Sequence, residues 1–299
     1  MAAEDTRPVE GGTLGSVAAV TAGADASRPA RSWVENRPAR SWWPRIDLAE
    51  LWSARDVAVV LALRNIKSRY KQTFFGAAWA ILQPLAGVAI FSVVLGRLAQ
   101  VPSEGIPYPV FVFAGLVLWG YFTASANAAT DSLAGYRQLI TKVYFPRLLA
   151  PLAAVIPPLL DVGVQLVVVA IFMGIWGVAP TYAIVLLPFW VLATIVFSFG
   201  VGAWLAALNV KYRDVRNAIT FLLQVWFFAT PVAYGSSLLP SALIAVNPMA
   251  GLVDGFRWSL IGAPPPGGAA AVSLIVGLLV VLGGLAYFAR AERYFADVI

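Results

Sequence analysis

The chain contains no cysteine and no histidine among its 299 residues. Without thiols there is no disulfide framework and no thiolate nucleophile, and without imidazole an ordinary zinc or haem site cannot be assembled. Charge is scarce as well. Only 12% of the residues are Asp, Glu, Lys or Arg, against 60% hydrophobic ones, and the mean hydropathy is +0.78. Water-soluble domains carry about twice that share of charge, so the composition is that of an integral membrane protein. No Gly-x-x-x-x-Gly-Lys-Ser/Thr run occurs, and no P-loop ATP site is expected. Acids are nearly missing from the apolar runs, where Asp161 is the clear exception. A lone carboxylate costs about 3 kcal/mol at the bilayer centre, so it should face a cavity or a polar partner. Helix packing or a hydrated position near the prolines is a better reading of it than a proton relay. With no second buried acid, a general acid and base are hard to pair.

The basic residues are few but ordered. The longest polar interruption, Asp131 to Pro151, carries Arg137, Lys142 and Arg147 against Asp131 alone, and such a loop belongs on the cytoplasmic side. The net charge of +6 is distributed between apolar segments and forms no single patch, so topology explains it better than nucleic acid does. Residues 1–45, rich in Ala, Gly, Arg, Pro and Ser, read as a disordered cytoplasmic tail with no signal-peptide core. Its Arg28, Arg31, Arg37 and Arg40, followed by Trp42 and Trp43, suit anionic headgroups, although an extension without a role is the simpler reading.

Residues 46–72 read as an amphipathic interface helix. Asp47 with Glu50, and Ser53 with Asp56, approximate capping-box spacing. Trp52, Val59, Leu63, Ile66 and Tyr70 form an apolar stripe, with Arg64, Lys67 and Lys71 on another face. Residues 73–299 then form a six-span domain, giving an all-α integral membrane protein. The predicted spans are Gly76 to Leu98, Pro109 to Thr130, Leu148 to Trp176, Tyr182 to Leu208, Asn217 to Tyr234 and Ala269 to Ala289. Basic residues gather before the first span, between the second and third, between the fourth and fifth, and after the sixth, while the other side receives only Arg97 and Arg257. That asymmetry predicts both termini in the cytoplasm.

Gly235 to Gly268 is apolar but broken by Pro240, Pro248, Gly251, Gly255, Gly262 and the triplet Pro264 to Pro266. Asn247 as cap and Pro248 at the first helical position predict a short helix through Leu260. One more crossing here would put Arg290 and Arg293 outside, so the segment reads as two short re-entrant helices dipping from the external face. A plain external loop with a surface helix is the competing reading. Aromatic residues are abundant, notably Trp79 and Phe91 in the first span and Trp226, Phe227 and Phe228 in the fifth. Flat apolar faces with polar edges suit sugar rings, and the same residues suit packing between two copies, so both roles stand open.

Four separated stretches, RYKQTFFGAAWAILQPL from Arg69, KVYFPRLLAPLA from Lys142, KYRDVRNAITFLLQVWFFATPVAY from Lys211 and NPMAGLVDGFRWSLIG from Asn247, resemble the permease subunits of ABC exporters for polysaccharide, O-antigen and teichoic acid. The resemblance covers about residues 50–295 in order and leaves only the N-terminal tail outside. It implies a homodimer paired with two separate ATPase subunits that bind ATP and Mg, with no cofactor in this chain. The implied cargo is a lipid-linked glycan of O-antigen, galactan, capsule or teichoic-acid type, crossing the bacterial plasma membrane. The loop after the second span would be the coupling element, docking Tyr136, Arg137, Lys142, Tyr144 and Phe145 in an ATPase groove beside Tyr212, Arg213 and Asp214. The segment after the fifth span would supply external gate helices, with Asn247, Pro248, Asp254, Arg257 and Trp258 on them. An ion-coupled secondary transporter would show broken helices in two repeated halves, and no repeat is visible. A membrane glycan-processing enzyme would want an acid cluster or a metal site.

Overall fold

The structure, a computed structural model, describes residues 48–70, 78–136, 145–212 and 214–294. The predicted tail, the coupling residues Arg137, Lys142 and Tyr144, and Arg213 lie outside the described residues. What is described is helical, without a strand. Two helical pieces come first, α1 (Leu48–Ser53) and α2 (Arg55–Tyr70). Then come α3 (Trp79–Phe91), which continues as a π-helical stretch to Leu98, and the long α4 (Tyr108–Gly135). The third apolar run is split into α5 (Leu149–Ala154) and α6 (Pro158–Ile175). A 3-10 turn leads into α7 (Leu187–Lys211), followed by α8 (Val215–Ala229), α9 (Ser241–Val246), α10 (Pro248–Ile261) and α11 (Gly268–Ala291).

Among the described residues, five apolar helical stretches are long enough to cross a bilayer: Trp79–Leu98, Tyr108–Gly135, Leu149–Ile175, Tyr182–Lys211 and Gly268–Ala291. The expected fifth span is shorter than its sequence suggested. Thr230 precedes Pro231, whose ring disfavours the helical conformation in the residue before it, and Thr230 is extended at φ −104° and ψ 136°. Helix α8 therefore stops at Ala229 after 15 residues, about 22 Å of rise against about 30 Å of hydrocarbon.

Helix α4 is the centre of the fold. It packs against α3, α6, α7, α8 and α10, and Phe111, Phe113, Phe122, Ala126 and Ala129 are fully buried on it. Small residues set the spacing of its neighbours. A Cβ at Gly202 of α7 would stand 2.5 Å from the Ala129 methyl, and one at Gly284 of α11 would stand 2.5 Å from the Gly200 carbonyl oxygen. Close backbone approach of this kind is how helices gain packing in lipid, where apolar burial alone gives no drive to associate.

The break between α5 and α6 falls at Pro157–Pro158, and side chains take up the carbonyls it frees. The Tyr121 hydroxyl donates to the Val155 carbonyl at 3.1 Å, and Asn65 Nδ2 to that of Ala153 at 3.4 Å. Asn65 belongs to α2, whose Ala58, Leu61 and Ala62 are buried against the protein. Of the predicted stripe residues, Val59 and Leu63 lie exposed on α2 and Trp52 lies exposed on α1.

Helix α10 starts at Pro248 with Asn247 as its cap, the Asn247 side chain accepting from the Met249 amide at 3.1 Å. It ends at Gly262, which is left-handed at φ +70°, a conformation glycine adopts without penalty. Twelve of its fourteen residues are buried, leaving Asp254 and Trp258 partly exposed. A surface helix would expose a whole face, whereas α10 is covered by the protein on nearly all sides.

Candidate functional site

A cavity of about 680 Å3 lies between α3, α4, α6 and α8, with Arg69 of α2 at its margin. Aromatic faces come from Trp79 and Phe91 on α3, Trp119 on α4, and Phe227 and Phe228 on α8. Phe91 and Phe227 lie 5.6 Å apart between ring centroids, and Trp119 meets Phe227 edge-on at 5.7 Å. Polar groups alternate with them: Gln83, Thr123, Asn127, Gln165, Thr220 and Gln224. Gln165 spends its Nε2 on the Ala80 carbonyl at 3.2 Å, which fixes the amide so that Oε1 is the free end. Among the described residues that Oε1 is buried without a hydrogen-bond partner, an arrangement that fits a donor arriving from outside the chain. Asp161, the lone acid of the sequence reading, sits in the first turn of α6, is paired with Arg69 at 2.5 Å, and is 13% exposed.

The structure thus brings Trp79, Phe91, Phe227 and Phe228 to one cavity and separates Trp226 from them. One turn position decides this. Trp226 points to the core, edge-on to Phe122 at 5.2 Å and Trp119 at 6.2 Å, with its indole N–H donating to Asn247 Oδ1 at 3.0 Å. Asn247 in turn donates to the Ala229 carbonyl at 3.0 Å and to Thr230 Oγ1 at 2.9 Å, so the cap of α10 also holds the end of α8.

Among the other expected gate residues, Pro248 is the buried first residue of α10, and Asp254 and Trp258 share its less buried face one turn apart. Arg257 is 1% exposed. It donates to the carbonyls of Phe111 at 3.2 Å, Pro231 at 2.6 Å and Val232, and its guanidinium lies 3.8 Å from the Phe111 ring centroid. Gly115 leaves it room, since a Cβ there would strike the guanidinium.

Of the expected coupling residues, Tyr136 and Phe145 are both buried in the chain itself, in a cluster with Leu133, Leu148, Leu149 and Phe288. The Tyr136 hydroxyl donates to Asn65 Oδ1 at 2.5 Å, and Arg64 lies over its ring at 5.6 Å. Burial pushes the Tyr136 phenol above its ordinary value. Tyr212 and Asp214 are exposed, with Lys211 Nζ 5.1 Å from the Tyr212 ring. Sequence reasoning missed Asn65, Gln165 and the pairing of Arg69 with Asp161. Asn65 and Arg69 are ordinary polar residues of a helical segment in the sequence, and Gln165 is one polar residue in an apolar run, so none carries a signal of its own.

Residues 57–261 match the family described as ABC-2 type transporter. The chain belongs to the ABC-2 type transporter family. The family region runs from α2 to the end of α10 and so takes in the whole cavity and its margin. This ABC-2 chain is 33% identical over 208 residues to the O-antigen export system permease protein RfbA of Myxococcus xanthus, covering 67% of this chain and 78% of that one. It is 27% identical over 247 residues to a protein of the same name from Klebsiella pneumoniae, covering 81% and 94%. It is also 24% identical over 203 residues to the polysialic acid transport protein KpsM of Escherichia coli, covering 65% and 77%.

Proposed function

We propose that this chain is the permease subunit of an ATP-driven exporter that moves a lipid-linked polysaccharide through the aromatic cavity. The observation that carries the reading is the cavity's composition: ring faces from Trp79, Phe91, Phe227 and Phe228 beside amide edges from Gln83, Gln165 and Gln224. Sugar rings present C–H groups on their faces and hydroxyls at their rims, and the unspent Gln165 Oε1 is an acceptor for such a hydroxyl. The relatives named for O-antigen export and polysialic acid transport give the same cargo class.

Trp79 is 52% and Phe228 71% exposed, so the cavity is open on the side formed by α3 and α8. A second copy facing that side closes the conduit, which supports a homodimer in the plasma membrane. ATP and Mg belong to a separate ATPase pair. In this reading α8 and the turn after it make the fifth of six crossings, α9 and α10 dip in from the external face, and both termini are cytoplasmic. The segment between Tyr136 and Phe145, together with Tyr212 and Asp214, receives the ATPase. A path for the stroke runs from Tyr136 through Asn65 to the Ala153 carbonyl at the break of the third span, and that span carries Asp161 and Gln165 to the cavity. Transmission is a rigid-body shift of these packed pieces.

The test is co-expression with the ATPase encoded beside it, reconstitution in lipid, and measurement of polyprenyl-linked glycan export. Phe91→Ala and Phe227→Ala each remove a stacking face worth about 1 kcal/mol, so each should lower export about fivefold in complexes that still assemble. Full export by assembled double variants would remove the cavity from the path.

A further inference from the structure

A second cavity, of about 380 Å3, lies beside the first. One wall is α2, where Arg64 and Ser68, and Asn65 and Arg69, stand one turn apart in two adjacent rows and so share a face. The opposite wall is the end of α4, with Asp131, Ser132 and Tyr136, and the floor is the break of the third span at Pro157. Arg69 lines both cavities. From this we infer that the niche is a binding site for the phosphate or diphosphate ester headgroup of a membrane lipid, held by Arg64, Ser68 and Arg69.

The charges argue for an anion. Asp131 and Asp161 are the two carboxylates at the niche and its edge, and each is already matched: Asp131 with Arg216 at 3.4 Å, and Asp161 with Arg69. Arg64 has no carboxylate within salt-bridge distance among the described residues and rests on the Tyr136 ring. Three guanidiniums therefore meet two carboxylates, and the surplus positive charge belongs to Arg64. Arginine's fork of N–H donors matches a phosphate's oxygens, and the Ser68 hydroxyl adds a neutral donor. The volume equals that of about a dozen waters, room enough for a phosphorylated headgroup. Val59 and Leu63 lie exposed on α2, and Trp52 on α1 before it, which suits a helix at headgroup depth, so an ester there arrives with its tail already in the bilayer.

The inference rests on the cavity reading in one respect. If the larger cavity holds glycan, an anion beside Arg69 is where the phosphorylated end of the carrier lipid would sit, next to the first sugar. The site itself is tested without any sugar. The full chain in phosphatidylcholine nanodiscs is titrated with farnesyl diphosphate and, separately, with short-chain phosphatidylglycerol, and binding is read by native mass spectrometry. Saturable binding should weaken about tenfold in Arg64→Gln, as expected for loss of a charge-assisted contact. Ser68→Leu, which fills the niche without touching charge, should weaken it as well. Asp161→Asn frees Arg69 and should tighten binding several-fold, the opposite of what a purely structural ion pair would give.

Stronger binding of farnesyl diphosphate would assign the site to a carrier lipid, and stronger binding of phosphatidylglycerol to the anionic bilayer; either supports an anion site. Affinities for both probes that are unchanged in Arg64→Gln and in Ser68→Leu would overturn it. Because no probe carries sugar, failure of the aromatic-cavity reading would leave these outcomes standing, and the export assay above would register that failure separately.

Discussion

Arg257 shows how a charge survives at 1% exposure: its guanidinium is occupied by three backbone carbonyls and an aromatic face. Removing it strands those carbonyls in the core. Arg257→Leu should destabilise the protein by about 3 kcal/mol, and Arg257→Lys should restore little, because a point charge cannot reach three acceptors at once. Thermal unfolding in detergent, followed by loss of the monodisperse peak, checks both. Glu292 offers a pH test. It follows α11, where its backbone carbonyl accepts from Arg147 at 2.6 Å, and burial raises its carboxyl above the usual range despite the nearby Arg147 charge. Ionisation is therefore harder in the folded state than in the unfolded one. Stability from this group is fully present below its ordinary value of 4.5 and is lost as pH rises through the raised one. Glu292→Gln should raise the melting temperature near pH 7, with the gain vanishing at acid pH; a gain independent of pH would contradict the burial argument.

At the scale of elements, α7 and α11 meet through glycine backbone. Gly284→Ala would drive a methyl into the Gly200 carbonyl, whereas at the neighbouring Gly283 a methyl meets nothing within 4 Å. The first substitution should cost about 1–3 kcal/mol and the second close to nothing, measured as a paired shift in melting temperature. The end of α8 and α10 form another unit, joined at the start of α10 by Asn247 to Trp226 and Ala229, and further along it by Arg257 to the carbonyls of Pro231 and Val232. A gate made from α10 moves with the end of α8 or breaks these bonds.

For the whole molecule, topology is the property to measure, and the absence of cysteine makes it accessible. Single cysteines introduced at Ser103, Val178 and Pro265 should react with a membrane-impermeant maleimide from outside intact cells, while those at Glu50, Asp214 and Arg293 should react only after permeabilisation. If α8 fails to cross, Pro265 and Arg293 exchange sides, and the six-span reading falls.

Much of the fold was legible in the chain because lipid imposes simple rules. Long apolar runs marked the five crossing stretches, and Asn247, Pro248 and Gly262 set the limits of α10 within a residue, since caps and left-handed turns depend on local chemistry. Hydropathy carried the fifth span to Tyr234, past Pro231, and the helix stops short of that at Ala229. Trp79, Phe91, Phe227 and Phe228 of the cavity were named from the sequence, because apolar rings with polar neighbours are a matter of composition, but Trp119 was not among them and Trp226, named with them, lies outside the cavity. Which rings face the space and which face the core was not in the sequence. Phe227 and Trp226 are adjacent in the chain, yet the helix turns them about 100° apart, and packing of α4 and the Asn247 side chain decide which one is spent inside. Likewise Asn65, Arg69 and Asp161 lie 88 and 92 residues from the groups they bind. Sequence determined what each helix is and how it ends; only the tertiary structure decided which polar groups meet, because in a bundle that depends on the rotation of each helix about its own axis.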